Sequence, residues 1–276
     1  MAFFKSQRLE TRKEGLGKLT KINEDKDKVF IVHYSCESFK NENDRTPRIV
    51  SICLRNLGRK QIHTYSIHLK AQIFKKDIKN LSEEDYDICE RGMLDDYYEF
   101  LKNKTKYKFV HWRMFNSSFG FEAIDNRYEI LGGEPVKIDD ENKFDLNDIL
   151  QQVYTKNYVD KRGAAKGKMQ IIAEINDLKK ENFLSGKAEA QYFVDKRWME
   201  LHQSTEAKVK LFHDIIECLN DKSLKVTAKW YKIYGLSFNS ISEILKNNAF
   251  LRVIWWIIVL FLGFFLRDFF NYIKKL

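Results

Sequence analysis

Proline and glycine are scarce in this chain, with 2 and 12 among 276 residues, which argues against long disordered linkers. The four cysteines are Cys36, Cys53, Cys89 and Cys218, and no two of them form a Cys-x-x-Cys pair. Neither a zinc motif nor a redox motif of that type is therefore expected. The first residues contain no apolar stretch typical of a secretory signal, so we expect the bulk of the chain to stay on the cytoplasmic side of a membrane.

Basic side chains outnumber acidic ones by 48 to 39, a formal net charge of +9. This balance favours a polyanionic partner, such as nucleic acid, a nucleotide signal or anionic lipid headgroups, over simple solubility charge. Aromatic residues make up 14% of the chain and include 21 phenylalanines, so a packed core is expected. The length allows one sizeable domain or two small ones.

The last thirty or so residues contain a long apolar run. Residues 253–266 include no charged side chain, and the helical distance from Arg252 to Tyr272 is about 30 Å, close to the thickness of a bilayer's hydrocarbon core. Aromatic residues near both ends are typical of interfacial belts. The sequence therefore predicts a transmembrane helix over residues 249–273 and a short tail over 274–276. A buried core helix is the alternative.

The order of predicted elements places three strands before most of the helices. Apolar, β-branched runs at residues 28–36, 48–54 and 61–68 predict an antiparallel meander. A helix capped by Ser82 follows, and then a fourth strand over 108–112. The remaining predicted helices cover residues 120–131, a segment beginning at Asp145, 188–198, and 205–218 with Ser204 as N-cap. The predicted units are a basic N-terminal arm or short helix over 1–27, a ligand-binding domain over 28–215 and a helical connector over 216–248.

Three short motifs follow this order. Ser35-Cys36-Glu37 ends the first strand, the run from Phe115 to Phe121 follows the fourth, and Leu184 to Ala190 precedes a later helix. In order and spacing they resemble the three motifs of DEDD exonucleases, which have an RNase H-like fold. The resemblance covers roughly residues 28–215, and it implies an α/β fold with a mixed sheet and flanking helices.

The chain departs from that family at its metal-binding acids. The first-strand aspartate is Ser35, the second motif carries Gly120 or Asn116 at the acid's position, and the third has Glu189 but Leu184 at the general-base histidine. Two-metal hydrolysis needs several converging carboxylates. The resemblance therefore implies a pseudo-nuclease that binds a single strand without cutting it, with no cofactor and no metal.

We expect the ligand site around the ends of the first and fourth strands and around the third motif. There Trp112 could stack on a base and Arg113 could pair with a phosphate. The candidate ligand-binding residues are Tyr34, Ser35, Glu37, Phe39, His111, Trp112, Arg113, Asn116, Phe119, Arg127, Tyr128, Lys187 and Glu189. For Trp112 and Arg113 the alternatives are core packing and a solvated face. For Glu37 and Glu189 the alternatives are solvation and an ion pair. The basic loop over 161–168 could also contact phosphates.

A degraded exonuclease-like domain followed by a C-terminal membrane helix resembles the Hailong family of antiphage transmembrane effectors. That resemblance implies a bacterial inner-membrane homotetramer. A single-stranded oligodeoxyadenylate, made by a separately encoded nucleotidyltransferase, would gate its ion channel. Arg267, Asp268 and Asn271 are the candidate pore residues. Two alternatives stay open: an active membrane-tethered exonuclease using Glu37, Asp145 and Glu189, and a tail-anchored protein-binding adaptor.

Overall fold

The computed structural model holds one mixed β-sheet with helices on both faces. It describes residues 7–37, 46–114, 119–160, 166–178, 181–235, 245 and 249–273. Side chains of the last segment are described over residues 252–267. The predicted α/β class, with a mixed sheet and flanking helices, is confirmed.

Five strands lie in the order β3-β2-β1-β4-β5. They are β1 (Val29–Cys36), β2 (Ile49–Asn56), β3 (Ile62–Ser66), β4 (Lys108–His111) and β5 (Lys143–Asp145). The first three form the predicted antiparallel meander, while β4 is parallel to β1 and β5 is parallel to β4. All eight residues of β1 are buried, as expected for a central strand covered on both faces.

Ten α-helices are described. They are α1 (Gln7–Asn23), α2 (Ile67–Ile73), α3 (Glu83–Leu101), α4 (Phe121–Ile130), α5 (Leu146–Val153), α6 (Lys168–Ile175), α7 (Gly186–Val194), α8 (Trp198–Asn220), α9 (Trp230–Tyr234) and α10 (Ala249–Ile273). Ser82 caps α3 as predicted, since its side chain accepts a hydrogen bond from the backbone N–H of Asp85.

The core has two halves because alternate residues of β1 point to opposite faces of the sheet. Val29 and Ile31 belong to a cluster completed by α1, α5, α6 and most of α8. Phe30 and Val32 belong to a second cluster, completed mainly by α2, α3 and α4. The sheet is thus the middle layer of three, and its strand ends lie free to form a site.

The N-terminal segment, which the sequence left open between an arm and a helix, forms α1. This helix packs against α5 and buries Leu9, Leu19 and Ile22. Arg8 donates hydrogen bonds to the carbonyl oxygens of Gln152, Val153 and Tyr154 at the end of α5. The helix is therefore part of the folded body.

Several predicted boundaries were wrong. The third strand ends at Ser66, where α2 begins, and Ser204 lies inside α8 because that helix starts at Trp198. Neither β5 nor α6 was predicted. Of the connector predicted over 216–248, the described residues up to Gly235 contain the end of α8, as far as Asn220, and the five-residue helix α9. Most of the remainder lies outside the described residues.

The segment predicted as a transmembrane helix over residues 249–273 forms a helix, α10. Its apolar side chains, such as Phe261 and Phe265, are 71% and 73% exposed. Among the described residues, no helix is both long enough and apolar enough to cross a membrane. Arg267 is exposed and its guanidinium lies 5.1 Å from the ring of Phe264, whereas the side chains of Asp268 and Asn271 lie outside the described residues.

Candidate ligand-binding cleft

The carboxyl ends of the parallel strands β1, β4 and β5 meet at one edge of the sheet. Glu37 follows β1, Trp112 and Arg113 follow β4, and Asp145 ends β5. Crevices outside the carboxyl ends of strands are where open α/β sheets bind ligands. Polar and aromatic side chains therefore converge at this edge for a topological reason.

A cleft of about 390 Å³ opens at this edge, within the range of small-molecule pockets. It lies between the end of β1, the segment after β4, and the helices α6, α7 and α8. Its lining includes His33, Tyr34, Ser35, Cys36, Glu37, Trp112, Arg113, Phe119, Asn147, Lys168, Gln170, Phe183, Leu184, Glu189 and Lys208.

A buried ion pair forms one wall of the cleft. The Lys208 ammonium lies 2.6 Å from Oε2 of Glu189, and the two side chains are 5% and 14% exposed. Ser204 donates its hydroxyl to Oε1 of the same carboxylate at 2.8 Å. Lys208 also lies 5.6 Å from the ring centroid of Phe183. The carboxylate of Glu189 is thus already neutralised by a fixed cation.

Two neighbouring side chains are buried without a hydrogen-bond partner. Within the described part of the chain, Nδ1 of His33 and Oγ of Ser35 have none, although both residues are over nine-tenths buried. Burial, with Lys208 and His111 adding to it, holds the pKa of His33 well below its ordinary value, so the ring is neutral. Buried polar groups are normally paired. Both residues also line the cleft.

Aromatic rings frame the cleft. Tyr34 and Phe119 stack with centroids 4.5 Å apart, and the Tyr34 hydroxyl accepts a hydrogen bond from the backbone N–H of Gly120 at 3.0 Å. Trp112 stacks on Phe212 at 5.4 Å and is only 7% exposed, so it fills core as well as lining the cleft. Of these rings, Phe119 is the one best exposed for a ligand.

Arg113 is exposed and adopts a left-handed backbone conformation, with φ of 55°. A non-glycine residue there is strained by about 1–3 kcal/mol, and such residues cluster at ligand sites. Its backbone N–H donates to Oδ1 of Asp145 at 3.2 Å, which fixes the turn after β4. The side chain is therefore held at the mouth of the cleft.

Asp145 and His111 line an adjacent cavity of about 400 Å³, which shares Arg113 and Asn147 with the cleft. Oδ1 of Asp145 accepts from the N–H of Asn147 and caps α5, while Oδ2 is buried without a hydrogen-bond partner among the described residues. Burial raises the pKa of Asp145. His111 accepts at Nδ1 from the N–H of Met114, and burial lowers its pKa to about 3.

The structure brings most of the predicted site residues together and leaves others apart. The predicted residues in the cleft are Tyr34, Ser35, Glu37, Trp112, Arg113, Phe119 and Glu189. Lys187 is exposed on α7 outside the lining, and Phe39 and Asn116 lie outside the described residues.

Arg127 and Tyr128 do not reach the cleft. Arg127 is buried against Glu90, and Tyr128 stacks on Tyr98 at 4.4 Å and donates its hydroxyl to Asp95. Both side chains serve the packing of α3 against α4. Their helix follows the second motif directly, but it carries them to the opposite side of the sheet edge from the cleft lining.

Sequence reasoning missed His33 and Lys208. Lys208 sits between Thr205, Val209 and Phe212 on the buried face of α8, and a cation on an apolar helix face is itself a signal of an internal partner. His33 lies in an apolar strand, where its burial was predictable but its unpaired Nδ1 was not.

Within the described residues, no three His, Cys, Asp or Glu side chains are grouped closely enough to hold a metal ion. No protein-family model matches this chain, and no curated protein matches its sequence. Functional inference therefore depends on the geometry of the cleft.

Proposed function

We propose that the cleft binds the end of a single-stranded oligonucleotide without hydrolysing it. The observation that carries this proposal is the Lys208–Glu189 pair beside the unpartnered polar atoms of His33 and Ser35. The Lys208 ammonium would bind a phosphate, and the polar atoms of His33 and Ser35 would bond to a nucleoside. The accessible ring of Phe119 would stack on a base.

The electrostatics favour an anionic ligand. Lys208 has three N–H donors, and the pair with Glu189 leaves donors for a phosphate oxygen. Arg113 at the mouth and Lys168 on α6 add positive charge to the lining. Glu37 adds a negative charge to the same lining. Its backbone N–H donates to the carbonyl oxygen of Arg48 at 2.8 Å.

The arrangement of carboxylates argues against hydrolysis. Ser35 stands where a two-metal site would need an acid, and Glu189 is already engaged by Lys208. Asp145, the third acid of the active-exonuclease alternative, lines the adjacent cavity and caps α5. The sheet order and the position of the cleft support an RNase H-like exonuclease ancestry for this domain.

We propose that ligand binding in the cleft acts on α10, which we call the output helix. Its described apolar side chains are exposed along the whole run from Val253 to Leu266, and a surface of this kind needs a cover of lipid or of further copies of the helix. The described part of α10 does not by itself meet the length and apolarity of a membrane span, so a channel would depend on the apolar run of the sequence and on association of several copies. On that basis we propose that a homotetramer forms an ion channel of the bacterial inner membrane, which the bound strand gates as an antiphage effector. The strand must bind one channel state better than the other.

The deciding experiment follows labelled single-stranded DNA incubated with full-length protein in detergent and Mn²⁺. We expect the strand to stay bound and full-length, and Lys208→Met to weaken binding. A matched variant, Lys102→Met at an exposed ion pair, should bind normally.

Two outcomes contradict the proposal. Metal-dependent shortening that Glu37→Ala abolishes would make the protein an exonuclease. No binding by the folded protein at physiological salt would leave the adaptor alternative. Strand-dependent ion flux in proteoliposomes tests the channel separately, because binding without flux would remove only the proposed output.

A further inference from the structure

A second cavity, about 840 Å³, lies beside the cleft and is lined by lysines. Its wall includes Lys156, Lys168, Lys229 and Lys232, and among the lining residues Asp160 is the single acid. We call this cavity the lysine crevice. Lys168 lines both the crevice and the cleft, so the two are neighbours across one side chain.

The lysine crevice gathers four lysines around one acid, Asp160. Lys156, Lys229 and Lys232 are exposed, and no ion pair among the described residues involves them. Lys168 is held at the boundary, where its ammonium donates to the carbonyl of Lys156 at 2.6 Å and lies 4.9 Å from the ring centroid of Tyr158. Like charges gathered in one concave surface repel one another unless an anion binds between them.

An exposed tryptophan interrupts the same basic segment. Trp230 lies between Lys229 and Lys232 at the start of α9 and is 59% exposed. Its ring meets that of Tyr231 edge-on at 6.0 Å. A positively charged groove with aromatic side chains beside it is the general design of single-strand binding surfaces.

We propose that the lysine crevice binds the phosphates of the strand whose end occupies the cleft, with Trp230 stacking on one of its bases. This inference rests on the proposed function of the cleft. The strand would pass over Lys168 and reach α9, which lies before α10 in the chain. Ligand binding would thereby contact the segment between the sensing domain and its output helix.

A membrane surface is the competing partner, since anionic lipid headgroups also attract lysine and tryptophan. The concave shape of the crevice and its shared wall with the cleft favour a strand. A flat headgroup layer would contact Trp230 and the exposed lysines but not the boundary at Lys168, which lies within the wall between the two cavities.

The test compares two triple variants of the full-length protein in detergent. One carries Lys156→Gln, Lys229→Gln and Lys232→Gln. The control carries Lys75→Gln, Lys79→Gln and Lys106→Gln, three exposed lysines that line neither cavity and have no ion pair among the described residues. Both variants lose the same charge. Each is titrated with a dinucleotide and with a strand of about ten nucleotides, a length within the usual site sizes.

For the longer strand, we expect the crevice variant to bind about a hundredfold more weakly at about 0.1 M salt, with a salt slope lower by about 2, because each phosphate contact contributes about 0.7. Dinucleotide affinity should not change, since the cleft is intact. The control variant should bind both ligands like the wild type. Trp230→Ala should lower long-strand affinity without altering the salt slope.

Two results would overturn the inference while leaving the proposed function intact: equal long-strand affinity of the crevice and control variants, or loss of binding to anionic vesicles without loss of long-strand affinity. If the wild type binds neither the dinucleotide nor the longer strand, the proposed function itself fails.

Discussion

Two buried ion pairs in this protein differ in their surroundings, since one is enclosed between helices and the other borders a cavity. On the α3–α4 side, Glu90 is fully buried and accepts from Arg127 at 2.7 and 3.0 Å and from the backbone N–H of Ile49 at 2.7 Å. At the strand ends, Lys208 and Glu189 form a pair beside a cavity, next to the unpaired atoms of His33 and Ser35.

The difference separates a pair enclosed between α3 and α4 from a pair that borders a cavity. Around Glu90 every carboxylate contact comes from the protein, and Asp87 also receives Arg127 at 2.9 Å. Around Lys208 the pair leaves ammonium donors facing open volume. Unpaired buried atoms also lie near the first pair, at Arg48 and Tyr86, so the adjoining cavity is what distinguishes the Lys208–Glu189 pair.

Arg127→Met should have the largest effect on stability. It leaves the carboxylate of Glu90 buried without its guanidinium partner, which costs about 3–5 kcal/mol of the free energy of unfolding. Urea denaturation of the variant and the wild type measures this loss. Strand affinity per folded molecule should not change, because Arg127 does not line the cleft.

The matched control is Lys102→Met, which removes one member of an exposed pair whose side chains are 58% and 69% exposed. Such pairs contribute less than about 1 kcal/mol. If Arg127→Met costs no more than this control, the Glu90 pair is not the structural element described above.

Lys208→Met should have a smaller effect on stability and a large effect on binding. It leaves Glu189 partly exposed and still bonded to Ser204, so we expect a loss of about 1–3 kcal/mol. Strand affinity should fall about tenfold to a hundredfold with the charge-assisted contact.

Adding Glu189→Gln to Lys208→Met sharpens the distinction. The amide oxygen still accepts from Ser204 and no charge is left buried, so part of the stability should return while strand affinity stays low. Recovery of both quantities together would show that Lys208 only positions α7 against α8.

Much of the scaffold followed from local patterns in the sequence. The β-branched runs marked β1 and β2, and the acid-rich start after Ser82 marked α3. The resemblance to the exonuclease motifs led us to expect the residues after β1 and β4 at one site, and Glu37 and Arg113 line one cleft.

The rest depended on tertiary contacts that leave no local signal. The sequence around a helical charged residue such as Arg127 is equally compatible with a solvated side chain and with one buried against an acid 37 residues away. Serine is a common N-cap residue, but the hydroxyl of Ser204 donates to Glu189 on the neighbouring helix instead. The lysine crevice joins a loop and a helix distant in sequence, so no single window contains it.

The pH dependence of the unfolding free energy tests whether His111, at the end of β4, is neutral in the folded protein. His111 is buried and its pKa is lowered to about 3, below the ordinary 6.5. Its contribution to stability is therefore complete above pH 6.5 and is lost as the pH falls from there toward 3. The unfolding free energy should drop by about 1 kcal/mol per pH unit in this window from His111 alone.

The His111→Gln variant should show a shallower loss of stability between neutral and mildly acidic pH in urea denaturation. Gln can still accept from the N–H of Met114 but does not titrate. His63→Gln is the control, because His63 is half-buried and its pKa is lowered less. Identical pH dependence of the two variants would show that His111 is not held neutral.

Ser35→Ala should have the smallest effect on stability and the clearest sign. The Ser35 hydroxyl is buried without a partner among the described residues, so removing it should leave stability unchanged or raise it by up to about 1 kcal/mol. Strand affinity should fall about twofold to tenfold, because a net hydrogen bond to the ligand is worth about 0.5–1.5 kcal/mol.

Ser51→Ala is the matched control, since its buried hydroxyl is bonded to His202 at 2.7 Å; there stability should fall and strand affinity should not. Opposite movements of stability and affinity at Ser35, absent at Ser51, would separate a hydroxyl kept for a ligand from one kept for the fold. If Ser35→Ala instead behaves like Ser51→Ala, the unpaired atom at the cleft belongs to the fold.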